Sequence, residues 1–235
     1  MTDRLNRAKG ANALGFDHSY ARLGPAFSTP QAPDPVSDPR LLLWNQNLAD
    51  TLGWSGDPQS DAAQLAALAG NTPLRDSHPI ATVYAGHQFG QYNPQLGDGR
   101  ATLLGEWLTP SGERFDIQLK GAGPTAYSRG GDGRSPIGPV IREYLVSEAM
   151  FTLGVPSTRA LAAIATGEPV IRDQIEPGAV LTRVASSHLR VGTIQYFAMT
   201  RGGDDVGALV DYVVDRHFGT PAEASDQPGR RDLAR

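Results

Sequence analysis

The sequence predicts an α+β fold whose sheet is mainly antiparallel, and three observations support this prediction. Residues 114–119 alternate apolar and polar side chains, which is the period of a strand. The segment Thr-Pro-Ser-Gly at 109–112 is a turn that joins this strand to a preceding one as a hairpin. Residues 139–153 carry the clearest helical pattern of the chain. A hairpin followed by a separate long helix is typical of α+β domains.

The first 78 residues are expected to form an N-terminal arm and helices that pack on the domain behind them. Residues 1–40 are polar and rich in proline, which predicts an arm that lies extended on a core or is partly disordered. Two helices are expected, each ended by a glycine: 41–53, with Gly53, and 61–69, with Asp61 near its start and Gly70 as its stop.

Residues 79–190 contain the strand patterns and the long helix, and residues 191–235 begin a further helical part. The long helix repeats Ile141, Leu145 and Ala149 every four residues, with Val140 and Tyr144 beside them, so we expect these residues to form its buried stripe. The other expected elements are strands at 80–84, 101–107, 159–165 and 179–185 and helices at 191–200 and 205–218.

Composition limits the classes of function. The chain has 235 residues, 40% of them hydrophobic, which is enough to bury a core. With no cysteine, it can hold neither a disulfide nor a zinc–thiolate or iron–sulfur site. Its net charge of −4 predicts no general attraction to nucleic acid or to an anionic membrane. No apolar run approaches the roughly 20 residues that span a bilayer, and we expect a cytoplasmic protein.

Twelve of the 27 glycines lie between residues 86 and 138, with basic residues among them. Glycine lets backbone amides approach a ligand closely, and neighbouring lysines and arginines supply charge for phosphate oxygens. This region therefore predicts a site for a polyanion, most simply a nucleotide.

Three phosphate-binding patterns were compared with this region. No lysine follows a glycine loop as in a Walker motif. Residues 121–126 formally match a dinucleotide fingerprint, but Pro124 and the glycines beyond it disfavour the helix that this motif requires. A protein-kinase order fits better: a glycine loop at 97–100, Lys120 on the following hairpin, and Glu143 on the long helix.

Each of these residues also has a purely structural interpretation. The two loop glycines can serve a turn, a lysine at a strand end is usually solvated, and Glu143 competes with Glu148 for the role of its partner. Arg183 and Arg190 can form exposed ion pairs worth only about 0–1 kcal/mol.

Long stretches of the chain resemble the selenoprotein O family, whose bacterial members are also called YdiU. The motifs are Y-A-G-H-Q-F-G (84–90), L-G-D-G-R-A (96–101), Q-L-K-G-A-G-P-T-A-Y-S-R-G-G-D-G-R (118–134), R-E-Y-L-V-S-E-A-M (142–150) and T-R-V-A-S-S-H-L-R-V-G-T (182–193). The resemblance implies a protein-kinase-like fold, in which 79–190 is the nucleotide-binding N-lobe and 191–235 starts a truncated C-lobe. It implies transfer of AMP from ATP to Ser, Thr or Tyr hydroxyls of proteins, or of UMP from UTP in some bacterial members.

The resemblance also implies roles for individual residues. In the order of the chain, the nucleotide-contacting residues are Gly97, Gly99, Arg100, Lys120, Asp132, Gly133, Arg183 and Arg190. Glu143 is the implied ion-pair partner of Lys120, and the two last arginines hold the phosphates of a nucleotide bound in the inverse orientation to that in ordinary kinases. The catalytic aspartate and the ligands for Mg²⁺ or Mn²⁺ are expected beyond Arg235, so this piece alone is expected to be inactive.

Three other functions stay open on the sequence alone. They are a nucleotide-binding regulatory module without catalysis, an ordinary kinase that moves the γ-phosphate, and a dehydrogenase.

Overall fold

The computed structural model describes residues 15–219, so the first 14 residues of the predicted arm and the polar end of the chain lie outside it. The ten strands are β1 Gly15–Asp17, β2 Ser28–Pro30, β3 Arg40–Trp44, β4 Ile80–Thr82, β5 Gly86–Gln88, β6 Gln91–Asn93, β7 Ala101–Leu108, β8 Arg114–Lys120, β9 Arg159–Ile171 and β10 Ile175–Ala185. The α-helices are α1 Gln46–Leu52, α2 Ala62–Ala69, α3 Ile137–Thr152, α4 Val191–Thr200 and α5 Gly203–His217, and a short 3₁₀ helix spans Ala21–Leu23.

Eight strands form one antiparallel sheet, in the order β2-β4-β7-β8-β10-β9-β3, with β1 added alongside β7. The remaining two strands, β5 and β6, form a separate hairpin. This confirms the predicted α+β class and its mainly antiparallel sheet. The predicted N-terminal arm supplies β1, which pairs with β7, and β2, which pairs with β4, and the segment directly after the arm supplies β3, which pairs with β9.

Strand alternation separates the two faces of the sheet. In β10, Val180 and Val184 pack in a core cluster with α1 and α2, whereas Ala179 and Leu181 pack in another cluster with α3. In β8, Ile117 and Leu119 belong to the first of these clusters. Their neighbours in sequence therefore point to the α3 side, since successive side chains of a strand lie on opposite faces.

The predicted helix at 41–53 was wrong in its first part. Residues 40–44 form strand β3, in which Leu41 pairs with Ile164 and Leu43 with Ala163 of β9. Only the second part is helical, and it ends as expected at Gly53, which has a left-handed φ of 62°. Pairing with a long neighbouring strand overrides the local helical preference of these leucines.

The buried stripe of α3 also differs from the prediction. The buried residues are Val140, Tyr144 and Ser147, whereas Leu145 is 57% exposed. Val140 and Tyr144 are thus buried as expected, because they pack on side chains of β9 and β10, whereas Leu145 and Ala149 lie on the exposed side of the helix. No helix within residues 15–219 is both long enough and apolar enough to cross a membrane.

Candidate functional site: a cationic cleft between two glycine loops

A cleft of about 410 Å³ opens at the end of two central strands, where β7 begins and β8 ends. Its walls carry seven cationic side chains and two carboxylates, although the whole chain has a net charge of −4. The charged lining residues are Arg100, Lys120, Arg129, Arg134, Arg172, Arg183, Arg190, Asp98 and Asp132. Such a concentration of positive charge in a concave site favours a polyanionic ligand.

The eight residues predicted to contact a nucleotide all line this cleft. They come from β8, β10, the start of α4 and two loops, so the fold brings together positions as far apart as Gly97 and Arg190. Their roles in binding stay a prediction.

Lys120 is held by Glu143, as the kinase-like order predicted. The Nζ atom of Lys120 donates to Oε2 of Glu143, and Nη1 of Arg183 donates to Oε1 of the same carboxylate at 3.2 Å. Arg183 also donates to the side chain of Gln118. These side chains face the α3 side of the sheet because Gln118 and Lys120 alternate with the core residues Ile117 and Leu119.

The burial of these side chains argues against the purely structural interpretations, in which they are solvated or exposed. The side chains of Lys120 and Arg183 are 20% and 12% exposed, so neither is a solvated surface cation. Glu148, the competing carboxylate, binds elsewhere: it accepts from Nε and Nη2 of Arg159 at 2.9 and 2.8 Å. Glu143 is therefore the helix carboxylate that meets the cleft.

The pKa values in this cluster reflect burial and close charges. Burial lowers the pKa of the Lys120 ammonium group, the charge of Arg183 acts in the same direction, and Glu143 opposes both. Burial acts to raise the pKa of Glu143, but Arg183 and Lys120 outweigh it and hold that pKa below its usual value. The carboxylate thus stays ionised between two cations.

The first glycine loop, 97–100, is packed tightly against residues 125–129. Gly97 has a left-handed φ of 60°, and a Cβ atom there would lie 2.4 Å from the ring of Tyr127. Thr125 Oγ1 donates to the carbonyl of Asp98 at 2.6 Å, and Ser128 Oγ to that of Gly99 at 2.5 Å. These glycines do serve a turn, and this turn forms part of the wall of the cleft.

Asp98 and Arg190 form the inner wall beside this loop. Asp98 is 1% exposed, and its Oδ2 accepts from the amide and the hydroxyl of Thr82 at 3.1 and 2.5 Å. Its Oδ1 lies 3.8 Å from Nη1 of Arg190. The guanidinium of Arg190 stacks over the ring of Tyr84, with 4.3 Å from Cζ to the ring centroid.

The second loop, 130–134, forms the opposite wall. Gly133 has a φ of 64°, and a Cβ atom there would lie 1.9 Å from the carbonyl oxygen of Gly123, so this position admits only glycine. Asp132 accepts two hydrogen bonds of 2.8 Å from the guanidinium of Arg172. The loop is thereby tied to the turn between β9 and β10.

Several residues of the cleft were missed at the sequence level. Arg129 and Arg134 lie inside the motif 118–134, where only Lys120, Asp132 and Gly133 were predicted to contact the nucleotide. Arg172 carried no signal, since it lies between the two expected strands, 159–165 and 179–185, and 40 positions from Asp132. Within residues 15–219, no group of three or more His, Asp or Glu side chains is placed to hold a metal ion.

Known proteins resemble this chain over most of its length. Residues 11–230 match the family described as "Protein adenylyltransferase SelO". A "Protein nucleotidyltransferase YdiU" of Rhizobium johnstonii is 55% identical over 227 residues, which are 96% of this chain and 45% of the relative. Relatives with the same name from Maridesulfovibrio salexigens and Bacillus mycoides are 55% and 51% identical over 92% and 94% of the chain. The chain spans somewhat less than half the length of these curated relatives.

Proposed function

The chain belongs to the SelO family of protein adenylyltransferases, and from this membership we propose that its cationic cleft holds the triphosphate of ATP during the transfer of AMP to proteins. The acceptors are Ser, Thr or Tyr hydroxyls. A variant of the same reaction uses UTP and transfers UMP. The observation that carries the proposal is the ion pair of Lys120 and Glu143 within a cleft lined by seven cations.

The described residues do the binding and orienting in this proposal. Lys120 and Arg183, both fixed by Glu143, and Arg190, fixed on Tyr84, present positive charge to the phosphate oxygens. Charge-assisted hydrogen bonds of this kind contribute about 1.5–3 kcal/mol each. A bound triphosphate is thereby held with its α-phosphorus accessible to the acceptor.

The transfer itself exchanges one bond for another. The acceptor oxygen forms a bond to the α-phosphorus, the bond from that phosphorus to the bridging oxygen of pyrophosphate breaks, and pyrophosphate leaves. The hydroxyl proton passes to an aspartate that we place outside the described residues, together with the ligands for Mg²⁺ or Mn²⁺. Residues 15–219 offer no such cluster, so the part of the reaction that we assign to them is binding and orienting the nucleotide.

The wider setting follows from the same proposal. Residues 79–190 act as the main part of a kinase-like N-lobe, residues 15–78 add three strands to its sheet and helices that pack on it, and α4 and α5 begin the second lobe. We place the intact protein in the cytoplasm, with nucleotides and proteins as its partners rather than nucleic acid or membrane.

The test is to incubate the intact protein with ATP labelled on the α- or the γ-phosphate. We expect α-label to be transferred to protein, and Lys120→Ala to lower the rate by about a hundredfold, as for loss of one charge-stabilising donor. Arg142→Ala is the matched control, because Arg142 is an exposed cation of α3 outside the cleft.

Three results would contradict the proposal in different ways. Transfer of the γ-label alone indicates an ordinary kinase. Binding of ATP without transfer of either label indicates a regulatory module. Normal labelling by Lys120→Ala removes the role given to that lysine.

A further inference from the structure

Arg172 joins two parts of the cleft that are remote in sequence. It lies in the turn between β9 and β10, and its guanidinium grips both carboxylate oxygens of Asp132, with each N–O distance 2.8 Å. Its Nη2 also donates to the carbonyl of Arg134 at 3.0 Å. A two-pronged contact plus a backbone contact fixes orientation as well as distance.

Both ends of this contact are held in place. On the hairpin, Nη1 of Arg172 donates to its own neighbour's carbonyl, that of Ile171, at 2.6 Å, and its amide donates to the carbonyl of Gln174 at 3.0 Å. On the loop, the guanidinium of Arg134 donates to the carbonyls of Asp34 and Pro35 at 3.2 and 3.0 Å. The hairpin and the 130–134 loop therefore behave as one wall.

Asp132 brings a negative charge into the wall of the cleft, and the contact with Arg172 offsets this charge. It is one of only two carboxylates among the described lining residues, and an unpaired negative charge there repels a triphosphate. The hydrogen bonds from Arg172 hold the pKa of Asp132 below its usual value, so the carboxylate stays charged, and the guanidinium of Arg172 lies directly beside that charge. The other carboxylate, Asp98, accepts from Thr82 and lies 3.8 Å from the guanidinium of Arg190, so it already has a cation beside it.

We propose that Arg172 is a positioning residue for the nucleotide: it neutralises Asp132 and fixes the 130–134 loop, so that this wall of the cleft accepts a triphosphate. The inference rests on the proposed function. It assigns to Arg172 an effect on nucleotide affinity that acts through Asp132.

A double-mutant cycle in the intact protein tests this inference, with the Kd for ATP and the KM and kcat of AMP transfer as readouts. We expect Arg172→Ala to raise the Kd and KM for ATP by about fivefold, in line with loss of a partly exposed charge pair, and to change kcat less. Asp132→Asn added to this variant lowers the Kd again, because it removes the unpaired charge. In the wild-type background, Asp132→Asn brings no such gain.

Two further variants complete the cycle. Arg172→Lys keeps the charge but loses the two-pronged geometry, so its Kd is expected between those of the wild type and Arg172→Ala. Arg40→Ala is the matched control, because it removes an exposed Arg–Asp pair that lies outside the cleft, the 2.5 Å contact of Arg40 with Asp38, and leaves the Kd unchanged.

The outcomes separate this inference from the proposed function. If Asp132→Asn has the same effect in both backgrounds, or Arg172→Ala binds ATP as tightly as the wild type, the inference is wrong while the proposed function stands. If the wild type itself binds no ATP, the proposed function falls and the inference with it.

Discussion

At the scale of single residues, α3 carries two carboxylates with opposite tasks. Glu143 joins the cations of the cleft, whereas Glu148 joins α3 to β9 through Arg159 and through the amide of Ala160 at 2.8 Å. The sequence could not choose between them, since both flank apolar residues of one helix. The choice depends on where α3 crosses the sheet, which is a tertiary property.

This division of tasks predicts two different mutant phenotypes. Glu143→Gln leaves Lys120 and Arg183 without a carboxylate between them, and we expect transfer of AMP to fall by tenfold or more, roughly the effect of losing one positioning group. Glu148→Gln is expected to lower the free energy of unfolding by about 2 kcal/mol through loss of its contacts with Arg159, with transfer close to wild type. Labelling rates and urea unfolding of both variants measure this, and equal loss of transfer in both contradicts it.

At the scale of elements, the sequence predicted best where local signals and tertiary contacts agree. Helix α2 was expected at 61–69 and is found at Ala62–Ala69, because Asp61 caps its start and Gly70 ends it in a left-handed conformation. Strand β8 was expected at 114–119 from its alternation of apolar and polar side chains and is found at Arg114–Lys120. Strands β1 and β2 were missed, since three residues carry no period and only pairing with β7 and β4 makes them strands.

The transition from β3 to α1 also depends on tertiary contacts that local sequence does not reveal, and Asn45 makes them. Its Oδ1 accepts from the amide of Leu48 at 3.1 Å and so caps α1. Its Nδ2 donates to Glu148 at 2.7 Å and to the carbonyl of Ala160 at 3.0 Å. One side chain thus starts the helix and ties the end of β3 to β9 and α3, a role that local sequence does not announce.

We expect Asn45→Ala to lower the free energy of unfolding by about 2 kcal/mol, from loss of the cap and of two further hydrogen bonds. Asn45→Asp is expected to be at least as harmful, although it keeps the cap, because its carboxylate faces that of Glu148 and cannot donate. Asn47→Ala, an exposed position of α1, is the control and should change stability by less than about 0.5 kcal/mol. Urea unfolding decides, and an Asp variant as stable as the wild type would contradict this account of Asn45.

At the scale of the whole molecule, charge is distributed very unevenly. The chain is acidic overall, yet seven cations meet in one cleft. The kinase-like order of Lys120 and Glu143 could be predicted because residues in regular elements keep their spacing. The contributions of Arg172 and Tyr84 could not, because they depend on how the long β9–β10 hairpin and the segment after β4 fold over the loops.

A second consequence for the whole molecule is the response to acid. His188 is buried near Asp116, with 3.5 Å from its Nδ1 to Oδ2, and faces the charges of Arg183 and Arg190. Burial lowers the pKa of this imidazole below its usual value, and Asp116 only partly opposes the shift. Burial also lowers the pKa of His217.

The sign of the effect follows from linkage. A histidine whose pKa is lower in the folded state takes up its proton first in the unfolded chain, so the free energy of unfolding falls as the pH drops below about 6.5. One such group gives a slope of up to about 1.4 kcal/mol per pH unit. We therefore expect stability to fall between pH 7 and 5, with His188→Phe removing roughly half of that slope, since His217 has the same sign. Thermal unfolding of the wild type and this variant from pH 7 to 5 measures it, and a His188→Phe variant with the wild-type slope would show that folding leaves the pKa of His188 unchanged.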